Sequence, residues 1–227
     1  AGKPLPTPAF DAAEVLVDAE RLRTALAAEA AFDFQRSHVG RSETETLSYR
    51  LKRPLAVTAK RAARVYGSLT AGRRARPDFL LIGAKRAGST TLFRGLVDSG
   101  GIAAMFPARE QRKGVYYFDV HHARGARWYL GHMPTRSSVG AQRVGEASPY
   151  YLSHPEAAAR AADFAPNAKI IVVLRDPIER AHSHYRERCK QGVEYLPTFD
   201  DAIAAEAGRL AGEVDAMRAD PTYVSWN

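Results

Sequence analysis

Residues 83–91, GAKRAGSTT, combine two cations with three hydroxyls in a glycine-bracketed turn. In a turn of this kind that opens a helix, backbone N–H groups converge and the positive end of the helix dipole adds to them, which favours a phosphate-like anion. The alternative is a connection between a strand and a helix that binds nothing. We predict an anion site made by Lys85, Arg86, Ala87, Gly88, Ser89, Thr90 and Thr91.

The same turn nearly matches the nucleotide-binding P-loop. From Gly83 the pattern G-x-x-x-x-G is complete, but Ser89 stands where that motif requires a lysine. A kinase of this type needs the lysine to reach the β and γ phosphates. The sequence therefore favours an anion other than ATP with its metal, and a P-loop kinase is the less favoured alternative.

A second cation and hydroxyl pair occurs in residues 169–185, KIIVVLRDPIERAHSHY. The apolar run at 170–174 predicts a buried strand that ends at Arg175, and Pro177 suits the first position of a following helix. Ser183 lies two turns into that helix. A guanidinium and a hydroxyl suit a second phosphate, although an arginine that caps a strand and a solvated serine would give the same pattern.

Apolar runs and periodicity predict the elements that position these residues. Residues 79–82 suit a strand buried on both faces, and Leu92, Phe93 and Leu96 give the next helix its inward face. The fold class is α/β, with a P-loop-like open and mainly parallel sheet flanked by helices, and with an N-terminal helical extension. The predicted strands are 79–82, 102–106, 144–146 and 170–174, and further helices are predicted at 155–164, at 177–190 and after a cap at Thr198 and Asp201.

Together the two segments resemble the 5′-phosphosulfate loop and the 3′-phosphate segment of sulfotransferases that use 3′-phosphoadenosine 5′-phosphosulfate (PAPS). KGVYYFD at 113–119, RWY at 127–129 and GEASPYYL at 145–152 fall between them in the order of the carbohydrate branch, which includes the heparan N- and 3-O-sulfotransferases and bacterial relatives. The resemblance covers about residues 78 to 203. It departs at Arg86, where the family has its loop lysine, and at Gly114, where the heparan enzymes have a glutamate base.

The resemblance implies transfer of a sulfuryl group from PAPS to a glycan, a glycolipid or a small-molecule acceptor, with release of adenosine 3′,5′-bisphosphate. It assigns Arg175 and Ser183 to binding of the PAPS 3′-phosphate. Lys85 and Arg86 would also act in catalysis, since they lie where negative charge develops on the departing phosphate. A non-catalytic PAPS- or anion-binding protein stays open, because a glycine cannot take a proton.

Two carboxylates are the candidate replacements for the missing base. Glu146 is predicted at a strand end near the loop, and Glu110 comes second. The alternative for Glu146 is an ion pair with Lys85 or Arg86, which would lower its pKa and make it a poor base. We expect no metal, since His121 and His122 would face opposite ways and no further ligand stands at a suitable spacing.

Composition sets the remaining expectations. The 227 residues carry a formal net charge of +8, and nine basic residues with no acidic one lie between 50 and 76. This cluster reads as a solvated helix face, as a contact with an anionic lipid or glycan, or, last, as a nucleic-acid site, and we expect no nucleic acid because no recognised module is present. We divide the chain into a basic helical extension, 1–76, with an amphipathic helix at 11–34, and a PAPS-binding domain, 77–227.

The single Cys189 suits a reducing compartment, and no apolar run approaches the roughly 20 residues that span a bilayer. We therefore expect a cytoplasmic protein with peripheral contact at the inner membrane face through residues 50–76. The amphipathic helix would pack on the main domain or in a homo-oligomer. Family members continue beyond the last helix, so we expect the domain to be incomplete at its C-terminal end.

Overall fold

A computed structural model of the chain describes residues 47–108 and 111–220, with side chains from residue 58 onward. The chain separates into two compact units, residues 1–65 and 66–227. Helix α1 (Leu47–Leu69) begins in the first unit and ends in the second, while the sheet and the predicted site residues belong to the second. The helix expected at 11–34 lies outside the described residues.

Among the described residues, three parallel strands form the sheet. They are β1 (Phe79–Gly83), β2 (Gly145–Ala147) and β3 (Lys169–Val172), in the order β2-β1-β3. Phe79 pairs with Gly145 on one side and with Lys169 on the other. Because all three strands run the same way, their carboxyl ends meet at one edge of the sheet. The predicted parallel sheet is confirmed.

Helices connect and flank these strands. They are α2 (Ser89–Asp98), α3 (Gly125–Leu130), α4 (Arg136–Val139), α5 (Ala157–Phe164), α6 (Pro177–Lys190), α7 (Phe199–Leu210) and α8 (Glu213–Ala219), with short 3-10 turns at Ala71–Arg73 and His122–Arg124. Two of the starts have side-chain caps: Asp176 accepts a hydrogen bond from the Glu179 N–H at 2.9 Å, and Thr198 accepts one from the Asp201 N–H at 3.1 Å. Each cap satisfies an N–H group that the helix itself leaves unpaired.

The core lies between β1 and a cluster of aromatic side chains. Leu80 and Leu81 of β1 have no exposed area. The rings of Tyr117 and Tyr129 stack with their centroids 4.6 Å apart, and the ring of Phe118 lies 5.3 Å from that of Tyr129. This packing fixes the segment that carries KGVYYFD against the end of β2, beside the anion loop.

Two strand predictions need correction. Residues 102–106 form no strand and make only an isolated bridge, between Ile102 and Arg143. The strand β3 exists, but it is not buried on both faces: Ile170 is 56% exposed and Val172 is 41% exposed, since β3 pairs only with β1 among the described residues. Of the three apolar residues predicted to face inward from α2, Phe93 is buried, Leu96 is partly buried against the core, and Leu92 is exposed.

The basic cluster is less uniform than expected. Arg74 is 1% exposed, donates to the carbonyl of Met133 at 2.6 Å and lies over the ring of Phe106 at 4.0 Å. It therefore holds the core together and cannot contact a membrane or a glycan. Within residues 47–108 and 111–220, no helix has the length and apolar character needed to cross a bilayer.

Candidate active site

The predicted anion loop follows β1 and ends at the first turn of α2. Gly88 precedes the helix in the left-handed conformation, with φ of 99°, which a residue without a Cβ adopts without strain. Because glycine has no side chain, it gives the first N–H groups of α2 no side-chain cap. These N–H groups and the buried hydroxyl of Ser89 therefore form a place that suits an anion.

The two loop cations point to different partners. Lys85 donates to the hydroxyl of Tyr150 and lies 4.4 Å from the centre of its ring. Burial, and then the charge of nearby Arg188, lowers the pKa of Lys85 to about 7. Arg86, with a positive φ of 67°, instead directs its guanidinium to α6, where it donates to Ser183 Oγ at 3.1 Å and pairs with Glu187 at 2.8 Å.

Arg86, Arg175 and Ser183 form one cluster. Arg175 donates to the backbone carbonyl of Arg86 at 3.4 Å, and its guanidinium pairs with Glu179 at 3.0 Å. These residues line a polar cleft of about 330 Å³. The structure thus brings the two predicted phosphate-binding segments together at the same edge of the sheet. The guanidinium of Arg86 lies with the second segment, residues 169–185.

Tyr150 links Lys85 to two further residues of α6. Arg188 donates to the Tyr150 hydroxyl at 3.2 Å and to His184 Nε2 at 3.2 Å. Burial lowers the pKa of His184 to about 3, so the ring is neutral and can accept this bond. Sequence reasoning missed Arg188, although its spacing from His184, one helical turn, places both on one face of α6.

Close packing explains why residue 114 is a glycine. A Cβ at this position would lie 2.3 Å from the carbonyl oxygen of Ala147 and 2.7 Å from Ser148 Oγ. The approach is close because the Ala147 N–H donates to the carbonyl of Lys113 at 2.6 Å. A glutamate side chain therefore has no room at 114 with this backbone.

Glu146 lies at the predicted strand, but not at the loop. It has no exposed area, and its carboxylate accepts bonds from the Val115 N–H at 2.7 Å, from Ser148 at 2.8 Å and from Tyr151 at 2.7 Å. Burial raises its pKa. Both readings of Glu146 made from the sequence, as a base and as a partner of Lys85 or Arg86, need correction: it anchors the segment from 113 to 119. Glu110 lies outside the described residues.

Asp119, at the end of the segment from 113 to 119, is a second buried carboxylate. Its Oδ1 accepts a bond from the Val120 N–H at 2.6 Å, while Oδ2 is buried and has no hydrogen-bond partner among the described residues. Burial raises the pKa of Asp119 to about 7. No group of three or more metal-ligating side chains occurs in the described part of the chain.

Lys113, the first residue of the segment from 113 to 119, adds a further cation to the site. Its ammonium lies 3.3 Å from Ser89 Oγ, at the first turn of α2. Burial, followed by the charges of Arg94 and Arg86, lowers its pKa. The predicted donors Ala87, Thr90 and Thr91 lie next to Ser89, in the loop and in the first turn of α2. The structure therefore places these predicted loop residues side by side.

Known sulfotransferases are similar to part of this chain in sequence or fold. A membrane-associated sulfotransferase, kil1, from Dictyostelium discoideum is 36% identical over 110 residues, which are 48% of this chain and 22% of that protein. The bifunctional heparan sulfate N-deacetylase/N-sulfotransferase 4 of Mus musculus is 34% identical over 113 residues, 49% of this chain and 13% of that protein. The chain thus spans about a fifth or less of the length of these curated relatives.

A crystal structure of a sulfotransferase from Alicyclobacillus acidocaldarius superposes with a TM-score of 0.52 and 27% identity, covering 63% of this chain and 62% of that one. No family model matches the chain. The parallel sheet and the loop at the end of β1 define an α/β fold that is similar to that of this sulfotransferase. In sequence and fold the chain is similar to sulfotransferases, including those of the heparan sulfate N-sulfotransferase type.

Proposed function

We propose that this chain transfers the sulfuryl group of PAPS to a hydroxyl or an amine of a glycan, a glycolipid or a small-molecule acceptor. The observation that carries the proposal is the meeting of Arg86, Arg175 and Ser183 beside the start of α2, in a chain that is similar to sulfotransferases. PAPS carries two separate anionic groups, and two neighbouring cationic places at one edge of the sheet suit such a molecule.

Different residues would bind the two anionic ends of PAPS. Arg86, Arg175 and Ser183 would hold the 3′-phosphate, and the first turn of α2 with Ser89 and Thr90 would hold the 5′-phosphosulfate. PAPS supplies the sulfuryl group: the acceptor forms a bond to sulfur, the bond from sulfur to the bridging phosphate oxygen breaks, and the acceptor's proton passes to solvent water. Fixed donors at the loop stabilise the negative charge that develops on the departing phosphate.

Calorimetry with adenosine 3′,5′-bisphosphate tests the donor site. Because a hydrogen bond to a charged group contributes about 1.5–3 kcal/mol, Arg86→Ala and Arg175→Ala should each weaken binding roughly 10- to 100-fold. Lys169→Ala is the matched control, since Lys169 is exposed at the start of β3, the far end of the sheet from the loop. Wild-type protein that binds ATP with Mg²⁺ and not the bisphosphate would instead support the P-loop kinase.

The packing of Gly114 and the burial of Glu146 favour a second candidate, a non-catalytic PAPS-binding protein. The two candidates agree on binding and differ in turnover. Labelled PAPS with a panel of glycan, glycolipid and small-molecule acceptors separates them. The first predicts label on an acceptor, and the second predicts binding with none.

The proposal also covers the acceptor, contact with a membrane, the location of the protein and its oligomeric state. The names of the relatives describe heparan sulfate enzymes and a membrane-associated sulfotransferase, which supports an anionic glycan acceptor and peripheral contact with a membrane. Lys60, Arg61 and Arg64 on α1 supply the basic charge for such a contact. A cytoplasmic location and a homo-oligomer complete the proposal.

A further inference from the structure

Lys113 reaches the anion loop from a different part of the chain. Its backbone is fixed next to β2, where its carbonyl accepts the Ala147 N–H at 2.6 Å. Its side chain extends to α2, where Nζ donates to Ser89 Oγ at 3.3 Å. Ser89 is 4% exposed and is the first residue of that helix. A half-buried ammonium is therefore held beside the N–H groups of the first turn.

The charges around Lys113 have the same sign. Its pKa is lowered by burial and also by Arg94 and Arg86, and no contributing carboxylate accompanies them. Within residues 47–108 and 111–220, no carboxylate forms an ion pair with Lys113. Bringing an ammonium out of water next to other cations is unfavourable unless an anion compensates it. The place is therefore set up for a ligand that brings negative charge.

The two cations of the loop itself are directed elsewhere. Arg86 faces Ser183 and Glu187 on α6, and Lys85 faces Tyr150. The resemblance led us to expect that Arg86 would serve the phosphosulfate, but its guanidinium lies in the cluster with Arg175. Among these three cations, Lys113 is the one whose ammonium contacts the first residue of α2.

The geometry points to Lys113 as the cation that contacts the sulfuryl end of PAPS in this protein. This inference rests on the proposed function. It divides the donor site into two parts: the cluster of Arg86, Arg175 and Ser183 recognises the bisphosphate common to donor and product, and Lys113 recognises the group that is transferred. Its positive charge would stabilise the negative charge on the sulfuryl oxygens and on the departing phosphate as the sulfur–oxygen bond breaks.

Comparison of two ligands tests this division. Lys113→Met keeps the length and the apolar stem of the side chain and removes the charge. In calorimetry, we expect its affinity for adenosine 3′,5′-bisphosphate to stay within about 2-fold of wild type, and its affinity for PAPS to fall about 10-fold or more. With an acceptor found in the panel, kcat should fall roughly 10²–10³-fold, and Lys113→Arg should restore part of both losses. Lys169→Met is the matched control for loss of one positive charge.

Each other outcome overturns the inference. Equal loss of affinity for both ligands would mean that Lys113 only supports the loop or attracts anions generally. Unchanged PAPS affinity and unchanged kcat would mean that it has no role at the sulfuryl group, while the proposed function would stand. Wild-type protein that binds neither ligand would overturn the function and the inference together. If Lys113→Met does not fold, Lys113→Gln is measured in its place under the same criteria.

Discussion

Gly114 gives the sharpest test of the structure, because it stands where the resemblance to the heparan enzymes led us to expect a glutamate base. An added Cβ would lie 2.3 Å from the Ala147 carbonyl oxygen, whereas ordinary van der Waals contact begins near 3.4 Å. The backbone of one segment must therefore move by about 1 Å. This movement strains the bond between the Ala147 N–H and the carbonyl of Lys113.

The expected loss follows from these two effects. Overpacking in a tight place costs about 1–3 kcal/mol, and loss of one hydrogen bond about 1 kcal/mol. Gly114→Ala should therefore lower the free energy of unfolding by roughly 2–4 kcal/mol, which for a domain of this size corresponds to a fall in Tm of roughly 4–16 °C. Gly114→Glu should lose at least as much and gain no sulfuryl transfer, because the site has no room for its side chain.

Urea unfolding and a thermal melt of each variant measure the loss. Gly95→Ala is the control: it lies in α2, a Cβ there meets nothing within 4 Å, and alanine is favoured over glycine in a helix by about 1 kcal/mol. The control should be as stable as wild type or more so. A Gly114→Ala variant within 0.5 kcal/mol of wild type, or a well-folded Gly114→Glu variant with faster transfer, would refute the reasoning.

Two carboxylates predict how stability depends on pH. Burial raises the pKa of Asp119 to about 7, so the folded state binds its proton more tightly than the unfolded state and loses stability as pH rises from about 4 to about 7. In urea unfolding, the free energy of unfolding of Asp119→Asn relative to wild type should therefore be roughly 2 kcal/mol more favourable at pH 8 than at pH 5. A difference between the two proteins that does not change with pH would contradict this. Glu194 behaves in the opposite way, because its hydrogen bonds with Arg209, at 2.6 Å and 2.9 Å, lower its pKa to about 2. Its contribution is present above about pH 4.5 and is lost as pH falls towards 2, so Glu194→Gln should be less stable than wild type at pH 7 and the difference should shrink in acid; a constant difference across that range would argue against the ion pair.

The local elements were open to prediction because their determinants are near in sequence. The apolar run of β1 and the glycine before α2 specify a strand, a turn and a helix within about twenty residues. Asp176 with Pro177 specifies the start of α6, and Thr198 specifies the start of α7. At both of these helix starts the capping hydrogen bond joins residues three apart, so the sequence carries it directly.

Side-chain direction at the site was decided by the tertiary structure. Lys85 and Arg86 are neighbours of similar charge, yet one faces Tyr150 and the other faces α6. Arg175 reaches Arg86 across 89 positions of sequence. No periodicity within a segment encodes such a contact, because it depends on which strands pair and in what register.

Burial was the other property that sequence pattern could not supply. Glu146 stands at the predicted strand end, but the strand faces Val115, Ser148 and Tyr151, so its carboxylate lies in the core. The apolar run of β3 predicts burial, but Ile170 and Val172 are exposed, and among the described residues β3 is an edge strand with no layer that covers these two side chains. The sequence by itself determined the residue types that can bind an anion and the local elements that carry them. The packing of distant segments decided which of these residues meet, since burial and contact depend on neighbours that lie far away along the chain.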